Sequence, residues 1–423
     1  MLIHSASQLL TLHGGPQHGK KLGELGIIPN GALLFNGGKI RAIGSTHELM
    51  AAFPDEERLD AGNCVVMPGF VDPHTHLVWA GDRSAEFEMR QEGKSYLDIM
   101  AAGGGILSTV RATRAAEITE LKAQTRLRAW EIFQHGTTTV EAKSGYGLEL
   151  STELRQLEVL VQLDAEMPLQ IVPSFLGAHT IPEEFTDNPQ AYTDLICEQM
   201  LPAVKDWCQS HTSHLTLPFV DVFCEQGAFD LAQSRQILEA AKELGFPLKI
   251  HADEFKNLGG ANLAAELGAV SADHLVKTSD DDILALAESG TVAVSLPCTP
   301  FGLGEKDYTA SKKILDANGL MALGSDLNPG TAWCGNMQFV IALACRAMGL
   351  TPAQAIASAT INAAAAINLQ DQIGSFEKGK QADLLILKVD DYRHLGYRFG
   401  INLVRAVIKK GTLFNLGEET QPC

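Results

Sequence analysis

From Val65 onward the chain alternates short apolar runs with longer stretches in which apolar positions recur at helical spacing. The strand-like runs are 65–76, 137–143, 169–177, 219–224, 247–252, 270–275, 292–296 and 321–326, and the helical stretches between them include 117–135, 152–166, 231–244 and 280–289. Eight such units predict an α/β fold, a (β/α)8 barrel of the TIM type, whose site lies where the strands end.

Both chain ends carry a different pattern. Residues 7–12, 31–35 and 39–44 read as short strands, the last two joined by Asn36-Gly37-Gly38, which suits a tight hairpin. Too few strands are present there for a stable core. Partners are expected from 382–387, 404–408 and 412–414, giving a small composite β-sandwich from segments 1–64 and 367–423 around a barrel domain at 65–366.

Composition narrows the function classes. The 423 residues are 45% hydrophobic, enough for a large core, yet no apolar run is long enough to cross a bilayer. Met1 to Ala6 lacks a basic segment leading into an apolar one, so cytoplasm is the expected location. A net charge of −18 argues against nucleic acid or an anionic membrane as partner. The 8 cysteines, without a CxxC pair, are expected as reduced and mostly buried thiols.

Candidate chemistry gathers at the strand ends. The first apolar run ends in His74-Thr75-His76, and residues i and i+2 of a strand point the same way. Three later runs close as His251-Ala252-Asp253-Glu254, Asp273-His274 and Ser325-Asp326. One histidine at a strand tip is more often a hydrogen-bonded core residue than a ligand. Several tips meeting at one rim shift the balance. We therefore expect His74, His76, His251 and Asp326 to bind zinc or a comparable divalent ion, with His274 and Glu254 beside them. A general base must also move a proton to a leaving nitrogen, a task for His274, Glu254 or Asp326. His4, His13, His18, His47, His135, His211, His214 and His394 lie away from strand tips and are expected to be structural.

These residues and their flanks resemble the amidohydrolase superfamily, and within it the branch that acts on 4-imidazolone-5-propanoate. The matching stretches are Pro68 to His76, Gly81-Asp82-Arg83, Lys143-Ser144-Gly145-Tyr146-Gly147, Phe175 to His179, His251 to Glu254 and Gly324 to Thr331. The resemblance implies hydrolysis of that cyclic amide to N-formimidoyl-L-glutamate in histidine degradation, by attack of a metal-bound water on the lactam carbonyl. It further implies one zinc or iron ion, divalent or trivalent, per subunit, a homodimer, and substrate contacts from Arg83, Tyr146, His179, Glu254, Asn328, Gly330 and Thr331. Arg83 makes physical sense, because a propanoate needs a cation; pairing with Asp82 or Glu86 is the rival reading. Backbone N–H groups of Gly330 and Thr331, after Pro329, are expected to be free for an anion.

Other features get plainer readings. Gly103-Gly104-Gly105 lacks the Lys of a phosphate loop and reads as a turn or lid. Lys143 falls on the second strand, whereas the superfamily's bridging lysine lies on the fourth, so one metal is expected. Cys334 reads as packing, and Phe301-Gly302 as a turn near strand seven. Two rivals remain: a deaminase of a free base such as cytosine or guanine, sharing the metal residues but with no use for Arg83, and a scaffold without catalysis.

Overall fold

A computed structural model describes residues 1–94, 103–211 and 217–416. Eight parallel strands are hydrogen-bonded in chain order: Phe70–Asp72 (β1), Thr137–Lys143 (β2), Gln170–Ala178 (β3), Phe219–Cys224 (β4), Lys249–Ala252 (β5), Ser271–His274 (β6), Val292–Ser295 (β7) and Met321–Leu323 (β8). Past their ends, Thr75 bridges Leu327, with His76 N donating to Leu327 O at 2.9 Å and Asp326 N to His74 O at 3.1 Å. The ring closes there. Helices lie between the strands as the spacing predicts, among them Ile118–Gln134, Leu150–Glu166, Leu231–Glu243 and Asp280–Ser289. The third of these starts at a capping box, Asp230 accepting from Gln233 N while the Gln233 side chain reaches back.

The run at 65–76 is not one strand. Val66–Pro68 pairs with Leu384–Leu387 in the terminal sheet, and only from Phe70 does the chain join the barrel. Pro68 has no N–H to extend a ladder. A Cβ at Gly69 would lie 2.3 Å from Thr138 Oγ1, so only glycine lets the backbone cross so close to β2. The switch delivers His74 and His76 to the barrel rim.

The terminal sheet joins both chain ends, as expected. Its order is Thr412–Asn415, Val404–Lys409, Leu384–Leu387, Val66–Pro68, Leu2–Leu10, Ile27–Asn36 and Lys39–Ser45, with Arg58–Asp60 also on Leu2–Leu10. Val66–Pro68 and Arg58–Asp60 run parallel to Leu2–Leu10, which makes the sheet mixed. Ile3, Leu9, Leu33, Ile40, Leu384, Ile386 and Ile408 form a core within the sheet. Met67, Leu385, Val404 and Val407 belong instead to the large cluster that contains Phe70 and Phe133 of the barrel. Two cores thus share one sheet.

Cys64 is disulfide-bonded, unlike the reduced thiols expected, because spacing along a chain does not tell which sulfurs a fold brings together. Cys197, Cys224, Cys298, Cys334 and Cys345 carry free thiols. His214 and Cys423 lie outside the described residues. Among the described residues no helix is long and apolar enough to cross a membrane.

Candidate metal centre

Each of the strand-tip residues named from the sequence reaches one buried cluster. His74 and His76 follow β1, His251 lies in β5, His274 ends β6, and Asp326 follows β8, all at most 3% exposed. Asp326 Oδ1 stands 3.5 Å from both His74 Nε2 and His76 Nε2, and His76 Nε2 is 3.4 Å from His251 Nε2. His74, His251 and His274 form a second, overlapping triplet of donors. His74 Nε2 and Asp326 Oδ1 are buried with no hydrogen-bond partner among the described residues. Two donors bound to one tetrahedral zinc at about 2.0–2.1 Å stand about 3.4 Å apart, so these separations and the unpartnered atoms fit a divalent ion. Burial first, then neighbouring cationic groups, hold the His74, His76 and His274 imidazoles well below their usual pKa, in the neutral form that ligates.

Carboxylates behind the cluster orient the rings. Asp273 Oδ2 lies 2.6 Å from His74 Nδ1, and Asp221 Oδ1 lies 3.1 Å from His251 Nδ1. Accepting a proton from Nδ1 leaves each Nε2 lone pair facing the centre. Thr299 Oγ1 donates to Asp326 Oδ2, and Asn328 Nδ2 to Asp326 O at 2.7 Å. Asp221, Asp273 and Thr299 had no role from sequence reasoning. For Asp221 a signal existed: a carboxylate in the middle of the apolar run Phe219-Val220-Asp221-Val222-Phe223.

A cavity of about 450 Å³ opens onto His76, His251, His274 and Asp326. Its wall includes every residue expected to meet substrate: Arg83, Tyr146, His179, Glu254, Asn328, and Gly330 with Thr331. His179 stacks on His76 at 4.8 Å, its Nδ1 donating to Gly145 O at 2.9 Å, since a carbonyl can only accept. Its Nε2 is then the acceptor, and burial lowers its pKa to about 3. Tyr146 lies 5.3 Å from His179, ring to ring. Glu254 Oε2 is 3.6 Å from His274 Nε2, and burial beside Asp326 and Glu225 pushes the Glu254 carboxyl well above its usual range. Burial also raises Asp326, to about 6.

Arg83 is paired, as the rival reading expected, while facing the cavity. Its guanidinium lines the cavity and also pairs with Glu86 Oε2, at 2.8 Å from Nη2 and 2.9 Å from Nε. The free amides expected at Gly330 and Thr331 are not free: both donate to Asn328 Oδ1 at 2.8 Å, because an Asn two residues before a turn folds its side chain back onto the backbone. Gly105 N donates to Glu86 Oε1 at 3.0 Å, which ties the glycine segment to the Arg83 partner. Phe301-Gly302 lies in a short helix, Cys298–Leu303, rather than a turn.

The chain matches the Amidohydrolase family over residues 65–414. Similar proteins include the imidazolonepropionase of Herpetosiphon aurantiacus, 51% identical over 410 residues covering 97% of this chain and 96% of that protein. The imidazolonepropionase of Symbiobacterium thermophilum is 47% identical over 416 residues, 98% of this chain and 96% of that one. Among solved structures, E. coli guanine deaminase aligns with a TM-score of 0.73 at 16% identity, covering 98% of both chains. A zinc-bound adenosine deaminase from Xanthomonas campestris gives 0.71 at 19%, covering 97% of this chain and 92% of the other. At such identities the two structures establish the fold alone.

Proposed function

The chain belongs to the imidazolonepropionases of the amidohydrolase family, and from that membership we infer its reaction, hydrolysis of 4-imidazolone-5-propanoate to N-formimidoyl-L-glutamate in histidine degradation. Water adds to the ring carbonyl carbon, the C–N bond of the lactam breaks, and the departing nitrogen takes a proton. The observation that carries this chemistry is the pair of buried atoms His74 Nε2 and Asp326 Oδ1, without a hydrogen-bond partner among the described residues and set among His76 and His251.

His74, His76, His251 and Asp326 would hold one divalent ion, zinc or iron. Such an ion supplies a Lewis acid and lowers the pKa of a water from about 15.7 toward about 7. Arg83 takes the propanoate, since a guanidinium with one edge on Glu86 still offers Nη1 to a second carboxylate. Tyr146 and His179 meet the ring, and Asn328 holds the Gly330-Thr331 turn in shape beside it. Glu254 and His274, 3.6 Å apart, hold a proton between them and deliver it to the leaving nitrogen, with Asp326 able to share the transfer.

Segments 1–64 and 367–423 serve as a frame for the catalytic barrel at 65–366. The reaction, on a small diffusible metabolite, suits a cytoplasmic enzyme. Tyr397, Phe399 and Ile401 expose large apolar side chains along one segment, a surface that a second copy in a homodimer would cover. The test is an assay of the metal-loaded protein on imidazolone propanoate, guanine and cytosine. Opening of the first without ammonia release is expected; ammonia from either base, or no turnover of any, contradicts the reading.

A further inference from the structure

Beneath the ligand cluster the barrel encloses Glu141, Lys143, Asp221, Lys249 and Asp273, each 0% exposed, and the mechanism above gives the two lysines no part. Lys143 Nζ lies 2.8 Å from Glu141 Oε1, 2.8 Å from Asp221 Oδ2 and 4.0 Å from Asp273 Oδ2. Lys249 Nζ lies 3.4 Å from Asp273 Oδ2 and donates to Ser271 Oγ at 2.6 Å and Ala366 O at 3.2 Å. Glu141 is itself held by Ser174 Oγ, and its backbone carbonyl accepts from Thr75 Oγ1 at 2.7 Å, between the two histidines of β1's extension.

The geometry sorts these groups by reach. Asp221 and Asp273 touch His251 and His74, while Lys143 touches no ligand and contacts both aspartates from below. Burying an ammonium is costly unless carboxylates enclose it, and enclosing it fixes those carboxylates in turn. Lys143 and Asp221 also lie on β2 and β4, strands separated by β3, so their contact spans the barrel interior rather than one strand pair.

We propose that Lys143 is a positioning residue for the metal centre: its ammonium fixes Asp221 and Asp273, these hold His251 and His74 by Nδ1, and metal affinity therefore depends on a side chain that does not touch the ion. The proposal rests on the ligand set given above. Partners one shell out from a metal are typically worth about 10–100-fold in affinity. A lysine that only fills the core would alter the melting temperature of the metal-free protein and leave affinity unchanged.

The test is zinc affinity of the full-length protein, measured by competition with a chromophoric chelator, alongside circular dichroism to establish folding. Lys143→Met is expected to stay folded and bind zinc about 10–100-fold more weakly, and Lys143→Arg, which restores a cation able to meet two carboxylates, to recover most of the loss. At saturating zinc the KM of Lys143→Met should match the parent. Parental zinc affinity in folded Lys143→Met overturns the proposal. Should that variant fail to fold, Asp221→Asn keeps the shape and removes the charge that Lys143 holds, and parental affinity in it overturns the proposal equally. Zinc binding that survives His74→Ala at parental strength would overturn the ligand set, and this proposal with it.

Discussion

His274 and Asp326 both sit in the left-handed backbone region, at φ +81° and +53°, although neither is a glycine. Such residues cost about 1–3 kcal/mol each, and here the twist turns the strand tips inward, onto the ligand cluster. His274 Nε2 has no hydrogen-bond partner among the described residues and faces Glu254. Removing a proton carrier while leaving the other donors in place should separate turnover from metal binding. His274→Ala is expected to retain the metal and lose about 10²–10⁴ in kcat, the usual worth of a general acid or base. Metal analysis of the purified variant checks it, and loss of the ion would make His274 a ligand. The clustered His74, His76, His251 and Asp326 were legible in the sequence because an ionisable residue at the end of an apolar run stands out. Thr299 was not, since a hydroxyl that donates to Asp326 from the short helix Cys298–Leu303 leaves no pattern along the chain.

Two segments differ from their sequence readings for physical reasons. The apolar run at 65–76 is continuous in hydrophobicity, yet its first half serves the terminal sheet and its second the barrel, because burial on both sides looks the same in sequence. The turn at Asn328 to Thr331 lines the cavity, but its amides are occupied by the Asn328 side chain rather than open to an anion. Under the proposed function Arg83 is then the anion's partner, with the turn packed against it: a Cβ on Gly330 would stand 2.3 Å from Arg83 Nη1. Arg83→Ala should raise KM by about 10–100-fold with a smaller effect on kcat, as charge-assisted hydrogen bonds of about 1.5–3 kcal/mol are lost. Gly330→Ala should shift KM the same way by displacing the guanidinium. Steady-state kinetics on both variants decide, and a KM unchanged in the pair would place the propanoate elsewhere.

For the molecule as a whole, the alternation of short and long apolar periods was enough to predict eight β-α units and a sheet joining both chain ends. The disulfide at Cys64 was outside its reach. Stability adds a consequence that no single contact shows. Burial raises Asp253 from 3.8 to about 6, so the folded protein keeps that proton to a higher pH than the unfolded chain does. Between about pH 4 and pH 6 the folded state therefore binds more protons at this site, and its contribution to stability falls as pH rises. Asp253→Asn cannot lose the proton and keeps an acceptor for Thr278 Oγ1. Measured on metal-free protein, the variant should gain about 2–3 kcal/mol relative to the parent between pH 4 and pH 7. A difference that stays constant with pH would mean Asp253 titrates alike in both states.

The ligand set stands or falls on an anomalous difference map recorded at the absorption edge of the bound metal. One peak about 2.0–2.2 Å from His74 Nε2, His76 Nε2, His251 Nε2 and an Asp326 oxygen is expected. A peak away from those four residues, or none in crystals of protein that opens imidazolone propanoate, would contradict it.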